Sequence, residues 1–310
     1  MNEPTAVSID QLCKSFGGIK AVNELSMTVQ QGELFGLIGP DGAGKTTTIR
    51  ILCGLQDADA GQCRILDREV ATAIKEIHTF IGYMPQRFSL YPDLTVAENM
   101  QFFADLYNVS KADRQKRTQR LLEFSRLQSF AGRKAEALSG GMKQKLALSC
   151  MLIHTPKVLL LDEPTFGVDP VSRREFWAIL KELQNEGVTI LVTTPYMDEA
   201  ARCDRVGFMH HGELLLLKEP GRIPADFNGV LIELYCQNTV KAARRLTGQD
   251  HIDSVQIFGD KIHISGKHEE RVKTKIETVL RQQKIQVEAI KTIPAGLDDV
   301  FVQLIKKDRT

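Results

Sequence analysis

The sequence predicts an α/β fold with a largely parallel sheet and an inserted helical subdomain. A smaller α+β domain is predicted C-terminal to this core. Apolar runs such as LFGLIG, KVLLLDE and TILVTT alternate with helical patterns, which is typical of parallel strands covered on both faces. Residues 91–138 show helical patterns only, and the composition shifts at residues 218–221. We therefore expect a core domain at residues 5–220, with its helical subdomain at about 91–137, and a second domain at 221–310.

Length and composition support two globular domains. The 310 residues correspond to about two domains of ordinary size, and 43% hydrophobic with 25% charged residues argues against disorder. With Lys+Arg 40 against Asp+Glu 39, the net charge of +1 gives no general attraction to nucleic acid. The six cysteines lack C-x-x-C spacing, so reduced and mostly buried thiols are expected. The opening MNEPTAVSID resembles no signal peptide and no apolar run is long enough for a membrane span, which predicts a cytoplasmic chain.

The strongest motif is a glycine-rich turn between an apolar strand and a helical pattern. Its residues are Gly39, Pro40, Asp41, Gly42, Ala43, Gly44, Lys45 and Thr46, followed by Thr47. Glycines let backbone N–H groups turn inward around a β-phosphate, and the helix N-terminus adds its dipole. Lys45 supplies a point charge for phosphate oxygens, and the Thr46 hydroxyl is a Mg²⁺ ligand. The motif predicts a nucleoside triphosphate site.

Two carboxylates end the apolar run KVLLLDE, where the ligand sites of parallel sheets lie. We expect Asp162 to hold Mg²⁺, through water, and Glu163 to accept the proton of an attacking water. The alternative is that both acids are merely solvated after a strand.

A second helix start suited to an anion follows Leu138, where Ser139, Gly140 and Gly141 precede a run of good helix formers. The alternative is a simple N-cap before a core helix. One nucleotide rarely needs two such helix ends in one chain, so the pattern favours two chains that face each other.

The C-terminal segment has the order strand, helix, strand, strand, helix, strand, which is that of a ferredoxin-like fold. In its longer helix Val272, Ile276, Val279 and Leu280 form one apolar stripe, predicted to be buried. Nothing catalytic stands out there, which favours a regulatory or dimer-contacting role.

Together, these motifs resemble an ATP-binding cassette (ABC) nucleotide-binding subunit over roughly residues 5–220. The order Phe16, GPDGAGKT, Gln86, LSGGM, DE and Asp169 matches that family. The resemblance implies a RecA-like P-loop NTPase core. The segment SLYPDLTVAEN after Gln86, the GVDP turn and the ending GLDDVF resemble the ABC-2 type drug-efflux branch, and within it the first cassette of YbhF-type multidrug exporters.

The resemblance also implies residue roles. Phe16 is similar to the aromatic that stacks on adenine, with a core aromatic as the alternative. Gln86 matches the glutamine that reaches the metal and the attacking water. Residues 139–141 match the signature that contacts ATP held by the opposite subunit, and Asp169 matches the loop that links the two sites.

The implied function is ATP hydrolysis with Mg²⁺ to power an ABC-2 type exporter of drugs or small molecules. The implied partners are transmembrane permease subunits and a second cassette, identical or different, with no nucleic acid. The chain would lie on the cytoplasmic side of the inner membrane, bound through the permease. Two alternatives are a non-hydrolytic regulatory cassette and a soluble cassette ATPase. The sequence does not name the cargo.

One position departs from the family pattern, because Pro195 stands where the switch histidine should follow TT. Proline offers neither an imidazole nor a backbone N–H. Losing one preorganised donor costs on the order of 10²–10³ in rate, so we expect slow hydrolysis and an asymmetric dimer with a histidine-bearing cassette. His210 and His211 are expected in a hairpin turn before Gly212, not as replacements.

Basic residues recur in the predicted helical subdomain, at Arg114, Lys116, Arg117 and Arg120. The pattern favours a solvated helix face over contact with lipid headgroups.

Overall fold

The computed structural model describes residues 4–87 and 90–308, and this part of the chain divides into two compact units between Glu219 and Pro220. The predicted domain boundary at 220–221 lies one residue away. Residues 1–3 of the N-terminal segment, Ser89 of the SLYPDLTVAEN motif and residues 309–310 lie outside the described residues.

The elements of the first unit, in chain order, are β1 (Thr5–Phe16), β2 (Ile19–Gln30), β3 (Leu34–Ile38), α1 (Lys45–Leu52), β4 (Ala60–Ile65), β5 (Arg68–Glu69), α2 (Val70–Ile77), β6 (Ile81–Met84), α3 (Val96–Leu106), α4 (Lys111–Ser125), α5 (Gly140–Leu152), β7 (Val158–Asp162), α6 (Pro170–Asn185), β8 (Thr189–Thr194), α7 (Met197–Ala200), β9 (Arg205–His210) and β10 (Glu213–Lys218). Those of the second unit are β11 (Val230–Cys236), α8 (Thr239–Leu246), β12 (Ser254–Phe258), β13 (Lys261–Gly266), α9 (Glu269–Gln282), β14 (Val287–Ile293) and α10 (Leu297–Asp308).

The central sheet of the first unit has the order β10-β9-β3-β8-β7-β6, and all neighbours are parallel except β10 and β9. Every residue of β3, β7 and β8 is buried, which explains their uninterrupted apolar sequence. The predicted parallel sheet is therefore present. Its carboxyl edge brings together the loops that follow β3, β8 and β7, in that spatial order.

A second, antiparallel sheet of order β2-β1-β4-β5 lies in the same unit, and the prediction of one largely parallel sheet did not contain it. The strand β1 is irregular, because its register against β2 shifts between Ile9 and Leu12 and Gln11 has a φ of 49°. Buried side chains of this sheet, such as Leu25, join Phe35 of the central sheet in one hydrophobic core.

Between β6 and β7, the described residues from 90 onward form α3, α4, α5 and short 3₁₀ turns. Thr95 and Glu98 make a capping box at the start of α3, and the Ser110 side chain accepts the N–H of Asp113 at the start of α4.

The basic residues of α4 form ion pairs at the protein surface. Arg114 pairs with Asp105, and the Arg120 Nη2 lies 2.5 Å from an oxygen of Glu186. These contacts favour the interpretation of a solvated helix face.

In the second unit the sheet has the order β12-β13-β11-β14 with antiparallel neighbours throughout. Strands and helices follow each other in the predicted order. Val272, Ile276, Val279 and Leu280 of α9 are buried in a hydrophobic core with the sheet, as the stripe predicts.

The cysteines Cys13, Cys53, Cys63, Cys150, Cys203 and Cys236 are free, and all except half-buried Cys13 are buried, as predicted. No helix within residues 4–87 and 90–308 combines the length and apolar character that a membrane span requires.

Candidate functional site

The glycine-rich turn joins β3 to α1 and packs closely against the backbone of β9 and β2. A Cβ on Gly39 would lie 2.1 Å from the carbonyl oxygen of Met209 in β9. Gly44 has a φ of 105°, and its Cβ would lie 2.2 Å from the carbonyl oxygen of Ala21 in β2. Only glycine fits at both positions, so the fold fixes the path of the turn.

Lys45 and Thr46, the first residues of α1, connect the turn to the two carboxylates of β7. The buried Lys45 ammonium donates to the carbonyl oxygens of Gly39 (2.7 Å) and Pro40 (3.0 Å), and lies 3.3 Å from a carboxylate oxygen of Glu163. The Thr46 hydroxyl donates to Asp162 at 3.0 Å. The structure thus brings together residues that the sequence separates by more than a hundred positions.

Thr193 in β8 supports both carboxylates, and the sequence analysis missed it. Its hydroxyl donates to Asp162 Oδ1 at 2.7 Å and accepts the backbone N–H of Glu163 at 3.0 Å. Glu163 itself has a φ of 46°, in the left-handed region that costs a non-glycine residue energy. The signal for Thr193 was its polar side chain at the end of an otherwise apolar run.

Gln86 follows β6 and contacts the predicted catalytic carboxylate directly. Its side-chain amide donates to Glu163 Oε2 at 2.8 Å. Gln86 also lines a surface cavity together with Arg87, Gly140 and Lys143, so it lies between the site and the start of α5.

The surroundings of Asp162 are desolvated. Burial, reinforced by the Asp162 charge, raises the pKa of the Cys53 thiol. Burial also raises the pKa of Tyr83 to about 12, with Cys53 and Asp162 contributing. In such a low-dielectric environment a carboxylate attracts a cation more strongly than it does in water.

The side chains around Asp162 suit a magnesium ion. The Thr46 hydroxyl, the Asp162 carboxylate and the Gln86 amide supply oxygen donors, which Mg²⁺ prefers. The donor set therefore fits the predicted metal.

Phe16 ends β1 and is 47% exposed, which excludes the alternative of a core aromatic. It pairs with Ile19 across the β1–β2 hairpin, and β2 also carries Ala21, which contacts the glycine turn. The Lys14 ammonium lies 5.6 Å from the ring centroid. An exposed ring on this hairpin is suited to stacking against a flat base.

The predicted signature residues lie at the start of α5, next to α6. The Ser139 side chain caps α5 by accepting the N–H of Met142 at 3.3 Å. A Cβ on Gly141 would lie 2.4 Å from Ser172 Cβ in α6, and Gly140 has open space around it beyond Gly167. The contacts described for these residues lead to α6.

Asp169 caps α6, next to the start of α5. Its carboxylate accepts the backbone N–H groups of Val171 and Ser172, both at 3.0 Å. Hydrogen bonds from Ser172 hold the pKa of Asp169 below its usual value. The two residue groups assigned by resemblance to contact with a second chain therefore lie side by side.

Pro195 follows β8, which lies between β3 and β7 in the sheet. Its position is thus between the glycine turn and Glu163. The expectation that His210 and His211 both lie in a hairpin turn is wrong for His210, which is buried and ends β9. The turn consists of His211 and Gly212, whose φ values of 48° and 87° are typical of a two-residue type I′ turn.

Comparisons with known proteins show the family and the fold to which the chain is similar. The profile of the ABC transporter family matches residues 22–166. The probable multidrug ABC transporter ATP-binding protein YbhF of Escherichia coli K12 is 49% identical over 231 residues, 74% of this chain and 40% of that protein. The chain thus spans less than half the length of that relative.

Other relatives align along nearly the whole chain. The Nod factor export ATP-binding protein I of Burkholderia lata is 36% identical over 95% of both chains, and the linearmycin resistance ATP-binding protein LnrL of Bacillus subtilis is 31% identical over 95% of this chain and 96% of its own. A solved ATP-binding cassette dimer with ADP and Pi superimposes with a TM-score of 0.63 and 27% identity, over 69% of this chain and 98% of its own.

The cassette cbiO1 of Clostridium perfringens, part of the ABC transporter complex cbiONQ, gives a TM-score of 0.65 at 26% identity, over 72% of this chain and 92% of its own. The central fold is accordingly the mixed α/β fold of these P-loop cassettes. With its glycine turn, its paired carboxylates and full-length relatives above 30% identity, the chain belongs to the ABC transporter ATP-binding proteins.

Proposed function

We propose that this protein binds and hydrolyses ATP to power an ABC-2 type membrane exporter of drugs or other small molecules. The observation that carries the proposal is the direct linkage of the glycine turn to both carboxylates, through Lys45–Glu163 and Thr46–Asp162. The relatives named for multidrug transport, Nod factor export and linearmycin resistance support the export direction.

ATP binds through the glycine turn and the start of α1. The backbone N–H groups of residues 41–47 surround the phosphates, Lys45 moves its ammonium from Glu163 to the β- and γ-phosphate oxygens, and Phe16 stacks on the adenine. Thr46, Gln86 and Asp162 would hold Mg²⁺, which when bound would neutralise phosphate charge.

Hydrolysis relies on Glu163 as general base for the attacking water, with Gln86 orienting that water and Glu163. Pro195 leaves the edge of the site without the imidazole donor of the family pattern. Turnover at this site is therefore slow, and a histidine-bearing second cassette completes an asymmetric dimer. Ser139, Gly140, Gly141 and Asp169 contact that second cassette.

The permease contacts the helical subdomain at residues 91–137, through which the chain is held at the cytoplasmic face of the inner membrane. Tyr91, Phe102 and Leu106 are 44%, 36% and 58% exposed, and such apolar side chains clustered on a surface mark interaction sites. No nucleic-acid partner is proposed. The antiparallel strand order of the second unit supports a ferredoxin-like accessory domain at 221–310.

A non-hydrolytic regulatory cassette is the second candidate, and Pro195 is the observation that favours it. A cassette ATPase that works without a membrane partner is the third.

Purification of the tagged full chain from detergent-solubilised membranes separates these functions. We expect an integral membrane protein with several apolar spans to accompany the chain, and the complex to hydrolyse ATP with Mg²⁺. A complex that contains the permease but never hydrolyses ATP supports the regulatory cassette. Recovery with ribosomes or DNA, and without a membrane protein, contradicts the exporter.

A further inference from the structure

A buried carboxylate that follows Pro195 closely in the sequence has no role in the site described so far. Glu199 lies in α7 and is only 1% exposed. Burying a carboxylate is unfavourable unless charged or hydrogen-bonding groups compensate for it. The identity of those groups shows what Glu199 connects.

Two hydroxyl groups donate to Glu199, one to each carboxylate oxygen. The donors are Thr165 and Thr194, both at 2.5 Å and both buried. Thr165 belongs to the turn that begins at Glu163, and Thr194 ends β8 immediately before Pro195. One carboxylate thus joins the turn of the proposed general base to the strand end that carries the proline.

A third contact ties this pair of segments to α6. The Arg173 guanidinium has its Nε 3.5 Å from Glu199 and its Cζ 4.4 Å from the ring centroid of Tyr196. Arg173 lies in the first turn of α6, which Asp169 caps. The Glu199 carboxylate therefore sets the positions of three segments. They are the end of β8, the turn that begins at Glu163 and the start of α6.

The backbone around Pro195 is fixed from its flanks. Proline has no N–H of its own to anchor the loop. The backbone N–H of Tyr196 donates instead to Thr194 Oγ1 at 3.1 Å, the same hydroxyl that donates to Glu199. The turn that begins at Glu163 is also stabilised by a local hydrogen bond, because the backbone N–H of Val168 donates to the carbonyl oxygen of Thr165 at 3.1 Å.

We infer that Glu199 is a positioning residue for ATP hydrolysis, which holds the Glu163 turn in register with the end of β8 through Thr165 and Thr194. The inference rests on the proposed function, because it assumes that Glu163 acts on a water at this edge. A displacement of about 1 Å at a reacting group costs up to roughly 10²-fold in rate. Ground-state binding of ATP by Lys45 and the glycine turn does not depend on this linkage.

The test compares Thr165→Val with Thr165→Ser in the full chain. Valine has nearly the shape of threonine without the hydroxyl, and serine keeps the hydroxyl. We expect Thr165→Val to lower the single-turnover rate of ATP hydrolysis roughly 10- to 100-fold with ATP Kd unchanged, and Thr165→Ser to recover most of that rate. Thr278→Val, on the exposed face of α9, is the matched control and keeps the wild-type rate.

Equal rates for Thr165→Val and Thr165→Ser overturn the inference, as does a loss confined to ATP affinity or thermal stability. A double-mutant cycle with Glu199→Gln gives a second criterion. If the two side chains act together, the double variant is hardly slower than Glu199→Gln alone, whereas fully multiplicative losses contradict the linkage. Should Glu199→Gln fail to fold, the valine and serine pair still decides. A wild-type chain that binds no ATP refutes the proposed function instead, so the two failures are distinguishable.

Discussion

Each unit contains a lysine–glutamate ion pair, and the two pairs lie at different places in their sheets. In the first unit, Lys45 and Glu163 lie at the carboxyl edge of the parallel sheet, and both come from loop-to-helix or strand-to-loop junctions. Glu163 has a left-handed φ of 46° and receives a further hydrogen bond from Gln86.

In the second unit, Lys261 at the start of β13 pairs with Glu233 in the middle of the antiparallel strand β11. Glu233 is directly opposite His263 across the ladder, and the His263 Nδ1 lies 2.8 Å from an oxygen of Asp299 in α10. These groups fasten α10 to one face of the sheet.

The two pairs differ in the backbone conformation of their glutamates. Glu233 sits in regular extended backbone between neighbouring strands, as a structural group does, whereas Glu163 is held in a strained conformation by Thr193. Strain that neighbouring contacts maintain is typical of functional sites. This difference supports the proposed catalytic role of the first pair and a structural role for the second.

Exchanging each glutamate for glutamine tests that assignment with the largest expected effect. Glu163→Gln removes the proposed general base, and we expect ATP hydrolysis to fall about 10²- to 10⁴-fold while ATP remains bound in the proposed dimer. The measurement is steady-state phosphate release beside nucleotide binding. Glu233→Gln is the matched control and leaves hydrolysis unchanged, so equal losses in both variants would remove the contrast.

Restoring the missing donor sharpens the description of the first site. We expect Pro195→His to raise hydrolysis by up to roughly 10²- to 10³-fold, because an imidazole at this edge can stabilise charge that develops on the γ-phosphate. Phosphate release is measured with and without a second, histidine-bearing cassette. No gain in either setting counts against the slow-site hypothesis.

Truncating a core residue of the second unit tests whether that region contributes stability alone. Leu280 is fully buried in its hydrophobic core. We expect Leu280→Ala to lower the free energy of unfolding of that unit by about 2–5 kcal/mol, measured by urea denaturation, with ATP affinity unchanged. A large loss of ATP affinity would show that the division of roles between the two pairs is too simple.

The smallest expected effect is a pH dependence in the second pair. The hydrogen bond from Lys261 holds the pKa of Glu233 below the ordinary value of 4.5. A carboxyl group whose pKa is lowered on folding stabilises the folded state above its unfolded pKa, and this contribution is lost as the pH falls through the folded pKa. The difference in unfolding free energy between wild type and Glu233→Gln should therefore shrink below pH 4.5. A constant difference down to strongly acidic pH would contradict the charged pairing.

The sequence predicts which groups meet at the carboxyl edge of the first unit's central sheet, because these groups lie in contiguous motifs at strand ends. The turn of residues 39–47 and the pair Asp162 and Glu163 are each recognisable alone, and a parallel sheet necessarily gathers strand ends at one edge. Thr193 and Glu199 could not be found in this way. Thr165 and Glu199, for example, are 34 positions apart, and no local pattern relates them.

The antiparallel sheet was missed for a related reason. Register shifts in β1 break the alternation of apolar and polar residues on which strand prediction depends. The second unit has a clear helical stripe in α9 and short strands separated by turns, so its element order was readable.

The central claim is that the glycine turn and the carboxylates at the end of β7 together bind a nucleoside triphosphate. Equilibrium titration of the full chain with ATP is the most direct test of this claim. We expect saturable binding that requires Mg²⁺, that is lost in Lys45→Ala and that persists in Glu233→Gln. The absence of any Mg²⁺-dependent affinity for adenine nucleotides, with a second cassette present as well, would contradict the claim.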